Sequence, residues 1–307
     1  MPTRRMALVD AFTTDPLSGN AAGVLPDADG LSAEQCRAIA RELAVSETAF
    51  VSSSTDADRQ VRFFTPTQEV DLCGHATIAA HAYLLDQGEL SAGSHSLATA
   101  VGVLDIDVEA DGTVWMTQET PTVEQREIGY DWLADALGTE PSTMQDVGAE
   151  IPVARASTGL PVLVVPINFL GSLGGLEPNA GAIRALSEEH DVAGIYAFTF
   201  DTLSTDSTAH GRFFAPAVGI DEDPVTGTAS GACAAYFHAA GATAFDDPPA
   251  ELTFEQGDFL DRAGRVRVCV DTDDSGSTRV RVGGQAVTAV EGSITIPDDG
   301  VDDIIEA

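Results

Sequence analysis

The sequence predicts an α+β protein made of two similar halves. Its 307 residues are enough for two domains of roughly 150 residues each, and a hydrophobic content of 44% can fill two cores. Candidate strands and helices alternate along both halves. A short segment, Arg62–Pro66 (RFFTP), returns 150 residues later as Arg212–Pro216 (RFFAP). Together these observations favour a duplicated α+β fold.

Each copy of this segment is followed by an acidic stretch, a glycine and a run of small residues. The two runs are Gly74–Ala80 and Gly227–Ala235. A proline biases its predecessor to extended geometry, so each copy predicts a strand end, and each small-residue run predicts a tightly packed helix. Gly74 and Gly227 would then open two buried helices. Helix N-termini present unpaired N–H groups, so we expect either a carboxylate site there or two ordinary core helices.

The remaining elements follow from capping and hydrophobic periodicity. Ser32 and Gln35 form a capping box that opens a helix whose apolar positions include Cys36, Ile39 and Leu43. A second periodic segment predicts a helix at 180–188. Apolar or alternating runs predict strands at 8–12, 48–51, 61–65, 104–108, 114–116, 160–165, 195–200, 212–214, 266–270 and 278–282.

Glycine, proline and acidic residues mark the connections. The chain turns polar near 117–124, so we place residues 1–118, with the C-terminal strand 287–307, in one lobe and residues 119–286 in the other. Gly283–Gly284 predicts a hairpin or a bulge, and the glycine-rich segment 171–175 predicts a loop. We expect the acidic end from Asp298 to be frayed.

The charge balance is strongly acidic, with 49 acidic and 15 basic residues and a formal net charge of −34. Such a surface repels phosphates and anionic membranes, so neither nucleic acid nor a membrane is an expected partner. The self-repulsion is screened at high salt, where the Debye length falls to roughly 3 Å near 1 M. We interpret the composition as adaptation to a salt-rich cytoplasm.

Several kinds of chemistry lack the residues that they need. Every basic residue is Arg, which excludes pyridoxal-phosphate enzymes, Schiff-base aldolases and Walker A loops, since each requires a lysine. Four widely spaced cysteines form no Cys-x-x-Cys pair and are expected to be reduced thiols. His75 and His81 are six residues apart, and no His-Glu-x-x-His occurs, so no metal site is predicted.

Three acidic or histidine side chains are candidates for acid/base chemistry. Glu47 lies between a predicted helix and an apolar strand, where partial desolvation suits a proton-transferring carboxylate, although a solvated helix-end glutamate is the simpler interpretation. His75 follows Gly74 and either hydrogen-bonds a substrate or acts as a structural donor. Asp223 belongs to an acidic run before Gly227, which either stabilises the helix dipole or reaches the substrate. Thr228 comes after Gly227, and its hydroxyl and N–H could bind an anion.

These segments together resemble the PhzF-like family of phenazine-biosynthesis isomerases, which shares its fold with diaminopimelate epimerase. The resemblance spans nearly the whole chain and depends on five motifs in order, at 10–13 with 19–20, 46–50, 71–77, 222–229 and 282–286. It implies two pseudo-symmetric lobes, each a sheet wrapped around a central helix, an active site in the cleft between them, and a homodimer. It also implies an isomerase that needs no cofactor and moves a proton between carbons of a small carboxylate.

The resemblance also assigns roles to residues. Glu47 matches the family's proton-transferring acid/base, and His75 and Asp223 match its proton-relay or substrate-binding partners. Gly74, Gly227 and Thr228 match the anion-binding helix ends, and Asn20 and Cys73, which lie in the matched motifs, are placed in the substrate site.

Two alternative functions stay open. The related epimerases use two thiols, and Cys73 occupies the place of the first while Thr226, which forms no anion near neutral pH, occupies that of the second. The alternatives are an amino-acid epimerase or racemase that uses Glu47 and Cys73, and a non-catalytic protein that binds a small acid.

Overall fold

The computed structural model describes residues 1–145, 147, 151–240, 251–272 and 277–298. The predicted frayed end from Asp298 therefore falls on residues that, apart from Asp298, lie outside the described ranges. In order along the chain, the strands are β1 Thr3–Ala11, β2 Asn20–Leu25, β3 Glu47–Ser52, β4 Arg59–Phe64, β5 Glu69–Val70, β6 Gly93–Thr99, β7 Gly102–Val108, β8 Val114–Thr117, β9 Thr122–Gln125, β10 Ala154–Ser157, β11 Val162–Pro166, β12 Gly194–Thr199, β13 Ala209–Ala215, β14 Ile220–Asp223, β15 Glu251–Gln256, β16 Gly264–Thr272, β17 Thr278–Gly284 and β18 Ala286–Thr295. The helices are α1 Ala33–Leu43, α2 Gly74–Asp86, α3 Tyr130–Leu137, α4 Ser142–Gln145, α5 Leu170–Gly174, α6 Ala180–His190 and α7 Gly227–Ala240.

The chain forms two compact units, Met1–Met116 with Gly284–Ala307, and Thr117–Gly283. In the first unit the strands pair in the order β18, β1, β2, β3, β4, β6, β7 and β8, with β5 added beside β4. The β2–β3 and β4–β6 pairs are parallel, and the other pairs are antiparallel. One mixed sheet therefore runs through this unit.

The second unit repeats this topology. Its strands pair in the order β9, β10, β11, β12, β13, β15, β16 and β17, with β14 added beside β13. The β11–β12 and β13–β15 pairs are parallel, at the positions equivalent to the parallel pairs of the first unit. The same order of pairing in both units matches the internal repeat of the sequence.

Each sheet encloses a helix that is buried on all sides along most of its length. In α2 every residue from Ala76 to Leu84 is buried, and the helix packs against β1, β2, β3 and β18. The equivalent α7 packs against β9, β10, β11 and β16. Alanine and other small residues allow this close packing of helix and sheet. The predicted α+β fold, with a sheet wrapped around a central helix in each lobe, is confirmed.

The repeated Arg-Phe-Phe segment forms equivalent ion pairs in the two units. In the first, Nε of Arg62 lies 2.7 Å from Oε1 of Glu69, and in the second, Nε of Arg212 lies 2.8 Å from Oε1 of Glu222. Each guanidinium also lies over the phenylalanine two residues on, with Cζ 4.9 and 4.8 Å from the ring centroids. The repeat thus preserves a contact that joins two neighbouring strands.

Two glycine-based predictions about connections fail, the loop at 171–175 and the hairpin alternative at Gly283–Gly284. Segment 171–175 is a short helix, α5, because Leu173 is buried in the apolar core of the second unit and the Leu170 N–H donates to Asp201 at 3.0 Å. Gly283 and Gly284 form no hairpin, since β17 pairs with β16 while β18 pairs with β1. A Cβ at Gly284 would lie 2.6 Å from Cδ1 of Phe12, so close packing explains this glycine.

No helix in the described part of the chain is long and apolar enough to cross a membrane.

Candidate active site

Glu47 opens β3, four residues after Leu43, the last residue of helix α1. The predicted capping box of α1 is present, since the Gln35 N–H donates to Ser32 Oγ at 3.2 Å. The helix ends at Ala44, whose φ of 54° turns the chain towards β3. The four residues after Glu47 are buried, but its own side chain keeps 17% of its exposure. Glu47 is therefore a partly desolvated carboxylate at a strand entry, as its sequence position predicts.

Cys73, Gly74 and His75 form the N-terminus of α2. Cys73 is the N-cap residue, in extended geometry, and Gly74 and His75 are the first two helical residues. The His75 side chain is 11% exposed, and its Nε2 lies 3.6 Å from Oε2 of Glu47. Its Nδ1 lies 3.4 Å from Sγ of Cys73. The fold thus brings together a carboxylate, an imidazole and a thiol from two distant segments.

This arrangement places a proton donor and acceptor next to the positive end of a helix. The 3.6 Å separation of Glu47 and His75 is longer than a hydrogen bond, but catalytic contacts often tighten only when substrate binds. The N-terminus of α2 favours negative charge, such as a bound carboxylate. Chemically, the group can hold a small anion and move a proton beside it.

Asn20 lies on the same face of the sheet as Glu47. Asn20 begins β2 and is 3% exposed, and Ala22, two residues later, is opposite Glu47 in the parallel β2–β3 pair. Alternate residues of a strand share a face, so Asn20 and Glu47 belong to one face of the first unit. The preceding Gly19 has a φ of +58°, and a Cβ there would lie 2.2 Å from the Ala11 oxygen. Glycine is therefore required to bring the chain into β2.

In the second unit, a hydrogen-bonded group holds Asp223 at the end of β14. The Thr226 hydroxyl donates to the Asp223 carboxylate. The buried side chain of Gln256 donates to the Asp223 carbonyl at 2.8 Å and to Thr226 Oγ1 at 3.2 Å. Gln256 also accepts the Thr226 N–H at 3.1 Å. The Asp223 segment is thus fixed from two sides.

Gly227 and Thr228 are the first two residues of α7, four and five positions after Asp223. Both are partly buried, and the Thr228 carbonyl accepts a hydrogen bond from Oγ1 of Thr158 at 3.1 Å. The acidic run before α7 was predicted to serve the helix dipole or a substrate, and one of its members has an arginine partner. Glu222 instead forms two hydrogen bonds of 2.8 Å with Arg212, because the two residues lie on adjacent strands.

Two polar residues at these positions were not among the predicted ones. Ser46 Oγ lies 3.4 Å from Nε2 of His75, and Gln256 binds the Asp223 segment. Ser46 adjoins Glu47, so a search of its sequence neighbours would have found it. Gln256 is 33 residues from Asp223 along the chain, and only the pairing of β13 with β15 brings the two segments together.

Comparison with known proteins shows a family that contains this chain over most of its length. The PhzC-PhzF family, described as phenazine biosynthesis-like protein, matches residues 9–292. The chain belongs to this family. An uncharacterized isomerase of Clostridium acetobutylicum is 37% identical over 296 residues, which cover 94% of this chain and 97% of that protein. The predicted enzyme class, an isomerase, is confirmed at this level.

Solved structures agree with the fold. The phenazine biosynthesis protein of the PhzF family from Bacillus anthracis is 34% identical, with a TM-score of 0.87 over 96% of this chain and all of that one. A hydroxyproline epimerase from Agrobacterium vitis, solved with trans-4-hydroxy-L-proline, has a TM-score of 0.57 at 16% identity. The aligned region covers 96% of this chain and 91% of the epimerase. At that identity the epimerase supports the fold alone. The predicted relationship to epimerase folds is therefore confirmed.

Proposed function

We propose that this isomerase moves a proton between carbons of a small carboxylate substrate, without a cofactor and with Glu47 as the acid/base. The supporting observation is the half-buried Glu47 carboxylate, 3.6 Å from His75 at the N-terminus of α2. A carboxylate in such a position can take a proton from one carbon and return it to another. The double bond shifts as the proton leaves and re-enters, so the reaction balances without an oxidant or reductant.

The neighbouring groups would hold the substrate during this transfer. The N-terminal amides of α2, which begins at Gly74, can bind the substrate carboxylate, and His75 can donate a hydrogen bond to it or relay the proton. Asn20 is proposed to contact the substrate from the β2 side. In the second unit, Asp223, Gly227 and Thr228 stay predicted substrate-site residues, and each can be tested by its own variant.

Solvent-exchange mass spectrometry tests this proposal. The wild-type protein and Glu47→Gln would be incubated at high salt in D2O with pools of small-acid metabolites. We expect deuterium to enter one metabolite with the wild type only, which would also identify the substrate. Equal exchange with both proteins would remove the catalytic role of Glu47. A metabolite that binds saturably but gains no deuterium would instead favour a non-catalytic acid-binding protein.

An epimerase or racemase that uses Glu47 and Cys73 is the second candidate. It is favoured by the 3.4 Å separation between Sγ of Cys73 and Nδ1 of His75, since an adjacent base activates a thiol. The Thr226 hydroxyl, at the place of the second thiol, donates to Asp223, which suits a structural role.

Cys73→Ser distinguishes the two candidates. A serine hydroxyl is a far weaker acid than a thiol, so the epimerase would lose at least about 100-fold in rate. The Glu47-dependent isomerase would keep most of its exchange rate. Cys269→Ser is the matched control, because Cys269 is also a free, partly buried thiol but lies on β16.

We further propose that the enzyme works as a homodimer in a salt-rich cytoplasm. The four cysteines, none of which forms a disulfide, support a reducing compartment, and the net charge of −34 supports high salt. Sedimentation at high salt tests the assembly. A species with the mass of two chains is expected, and a species with the mass of one chain at all protein concentrations would contradict it.

A further inference from the structure

Glu47, Cys73 and His75 together offer three different metal-binding atoms. One donor atom from each residue lies within 4.8 Å of the other two. All three residues are partly buried, which limits competition from water. Carboxylate oxygen, thiolate sulfur and imidazole nitrogen are the three donor types that proteins use for zinc.

We propose that these three residues bind a divalent ion of the zinc class, with the fourth coordination position left to water or to a small anion. The sequence predicts no such site, because Glu47 and Cys73 are 26 positions apart and the familiar ligand spacings do not occur. Strand β3 and the N-terminus of α2 bring the donors together only in the folded first unit.

Each measured pair of donor atoms has a separation close to that of neighbouring ligands on a tetrahedral ion, and the two pairs use different ring nitrogens of His75. Zinc bonds of about 2.0–2.3 Å place neighbouring ligand atoms about 3.3–3.6 Å apart. Nε2 of His75 is 3.6 Å from Oε2 of Glu47, and Nδ1 is 3.4 Å from Sγ of Cys73. One ring nitrogen would bind the ion. The ligand on the other side of the imidazole ring would then have to approach the ion. Because the three donor atoms already lie within 4.8 Å of one another, this ligand would need to move by only about 1 Å.

The charges of the ligands also suit a divalent cation. A carboxylate, a thiolate and a neutral imidazole carry two negative charges, which one zinc ion neutralises in a partly desolvated place. The net charge of −34 raises the concentration of cations near the whole surface. The donor set is nevertheless selective, since thiolate and imidazole favour zinc over the magnesium and calcium that carboxylates alone attract.

Binding at this place would have a consequence for activity. An ion on Glu47 occupies the oxygen that takes the proton, so zinc would inhibit the exchange reaction. This consequence rests on the proposed function, whereas the binding itself does not. The two are separated by measuring binding without substrate and inhibition with it.

Cobalt(II) is the probe for binding, because a thiolate ligand gives it an intense charge-transfer absorption that oxygen ligands do not give. The chelator-treated full-length protein would be titrated with Co2+ at high salt, and then with Zn2+. We expect one equivalent of cobalt to produce the thiolate band and zinc to abolish it. The band should be absent in Cys73→Ser.

The variants test the other ligands. Loss of a residue that hydrogen-bonds to a metal ligand weakens metal binding about 10- to 100-fold. Glu47→Gln and His75→Gln remove ligands themselves, so each should weaken zinc binding by at least that factor. Cys269→Ser and Glu42→Gln are matched controls, a thiol on β16 and an exposed carboxylate of α1, and should bind as the wild type does. Equal binding by all variants would mean cation association with surface carboxylates only and would overturn the site.

A measurement on the unaltered chain covers the case in which a variant does not fold. Alkylation of each cysteine would be followed by peptide mass spectrometry, with and without Zn2+. We expect zinc to slow alkylation of Cys73 at least about tenfold, as a bound metal occupies the thiolate, and to leave Cys269 unchanged. Equal alkylation of Cys73 with and without zinc, or no thiolate band with cobalt, would overturn the proposal.

Discussion

Position decides the chemistry of single carboxylates in this protein. Most acidic residues in the described ranges lie on the surface, whereas Glu47 lies beside His75 because it is the first residue of β3. Glu255 of the second unit is fully buried and serves another purpose. Its two oxygens accept the N–H groups of Leu203 and Ser204, both at 2.8 Å, and Oε2 lies 2.9 Å from Nδ1 of His210.

These contacts make Glu255 a source of pH-dependent stability. Desolvation alone would raise the pKa of Glu255, but hydrogen bonds from His210 and from the Leu203 and Ser204 backbone lower it to about 2. Since the folded pKa lies below the unfolded value of 4.5, this stabilisation is present above about pH 4.5 and is lost as the pH falls towards 2. It amounts to at most roughly 3 kcal/mol.

The free energy of unfolding of Glu255→Gln, compared with the wild type at fixed salt, measures this contribution. We expect the variant to be less stable near neutral pH, and the difference to shrink as the pH falls from about 4.5 towards 2. Glu42→Gln, on the exposed face of α1, should follow the wild type throughout. A difference that stayed constant across this range would contradict the assignment.

At the scale of elements, the two copies of the Arg-Phe-Phe strand differ in burial. The Arg62–Glu69 pair has side chains 33% and 40% exposed, and the Arg212–Glu222 pair has side chains 8% and 15% exposed. Nη1 of Arg212 also donates to the carbonyl oxygen of Leu173 at 2.9 Å, which ties β13 to α5. The repeated contact is thus buried in the second unit only.

The matched variants Arg62→Gln and Arg212→Gln should therefore differ in stability. Removing Arg212 leaves the Glu222 charge in a desolvated place, which costs about 3–5 kcal/mol. Removing Arg62 breaks an exposed pair, which costs about 0.2–1 kcal/mol. Chemical denaturation at one salt concentration measures both losses. Equal losses would show that burial does not govern these pairs.

Local sequence signals predicted most helices and strands. The strands that were harder to predict are those that depend on pairing with distant parts of the chain. The capping box of α1, the buried helices α2 and α7 and the strands β12 and β16 followed from short patterns. Strand β18 was predicted only as a C-terminal strand at 287–307 and not from alternation, because none of its residues is buried and half of them are exposed. It pairs with β1 at the other end of the chain. Strand β6 likewise depends on its partners β4 and β7.

In the candidate site too, local motifs predicted single residues, whereas their arrangement depends on long-range pairing. The family resemblance placed Glu47, His75 and Cys73 in one substrate site, but no spacing in the sequence indicated how close their side chains would lie. That juxtaposition arises because β3 and the N-terminus of α2 meet in the first sheet unit. Gln256 carried no signal, since its role depends on the parallel pairing of β13 and β15.

At the scale of the whole molecule, the net charge of −34 should make stability depend on salt. The Debye length falls from about 30 Å at 0.01 M to about 3 Å at 1 M, so repulsion among the carboxylates is screened as salt rises. We expect the free energy of unfolding to increase over this range of NaCl. Sucrose, which favours burial without screening charge, should stabilise less. Equal stability at low and high salt would contradict the salt adaptation.

The rate at which deuterium enters the converted metabolite from D2O tests most directly whether Glu47 transfers the proton. General acid/base groups contribute about 10²- to 10⁴-fold, so Glu47→Gln should lose at least about 100-fold of the wild-type rate. Glu42→Gln, which removes the same charge from an exposed position, should keep the full rate. A Glu47→Gln protein that exchanged deuterium as fast as the wild type would contradict the account.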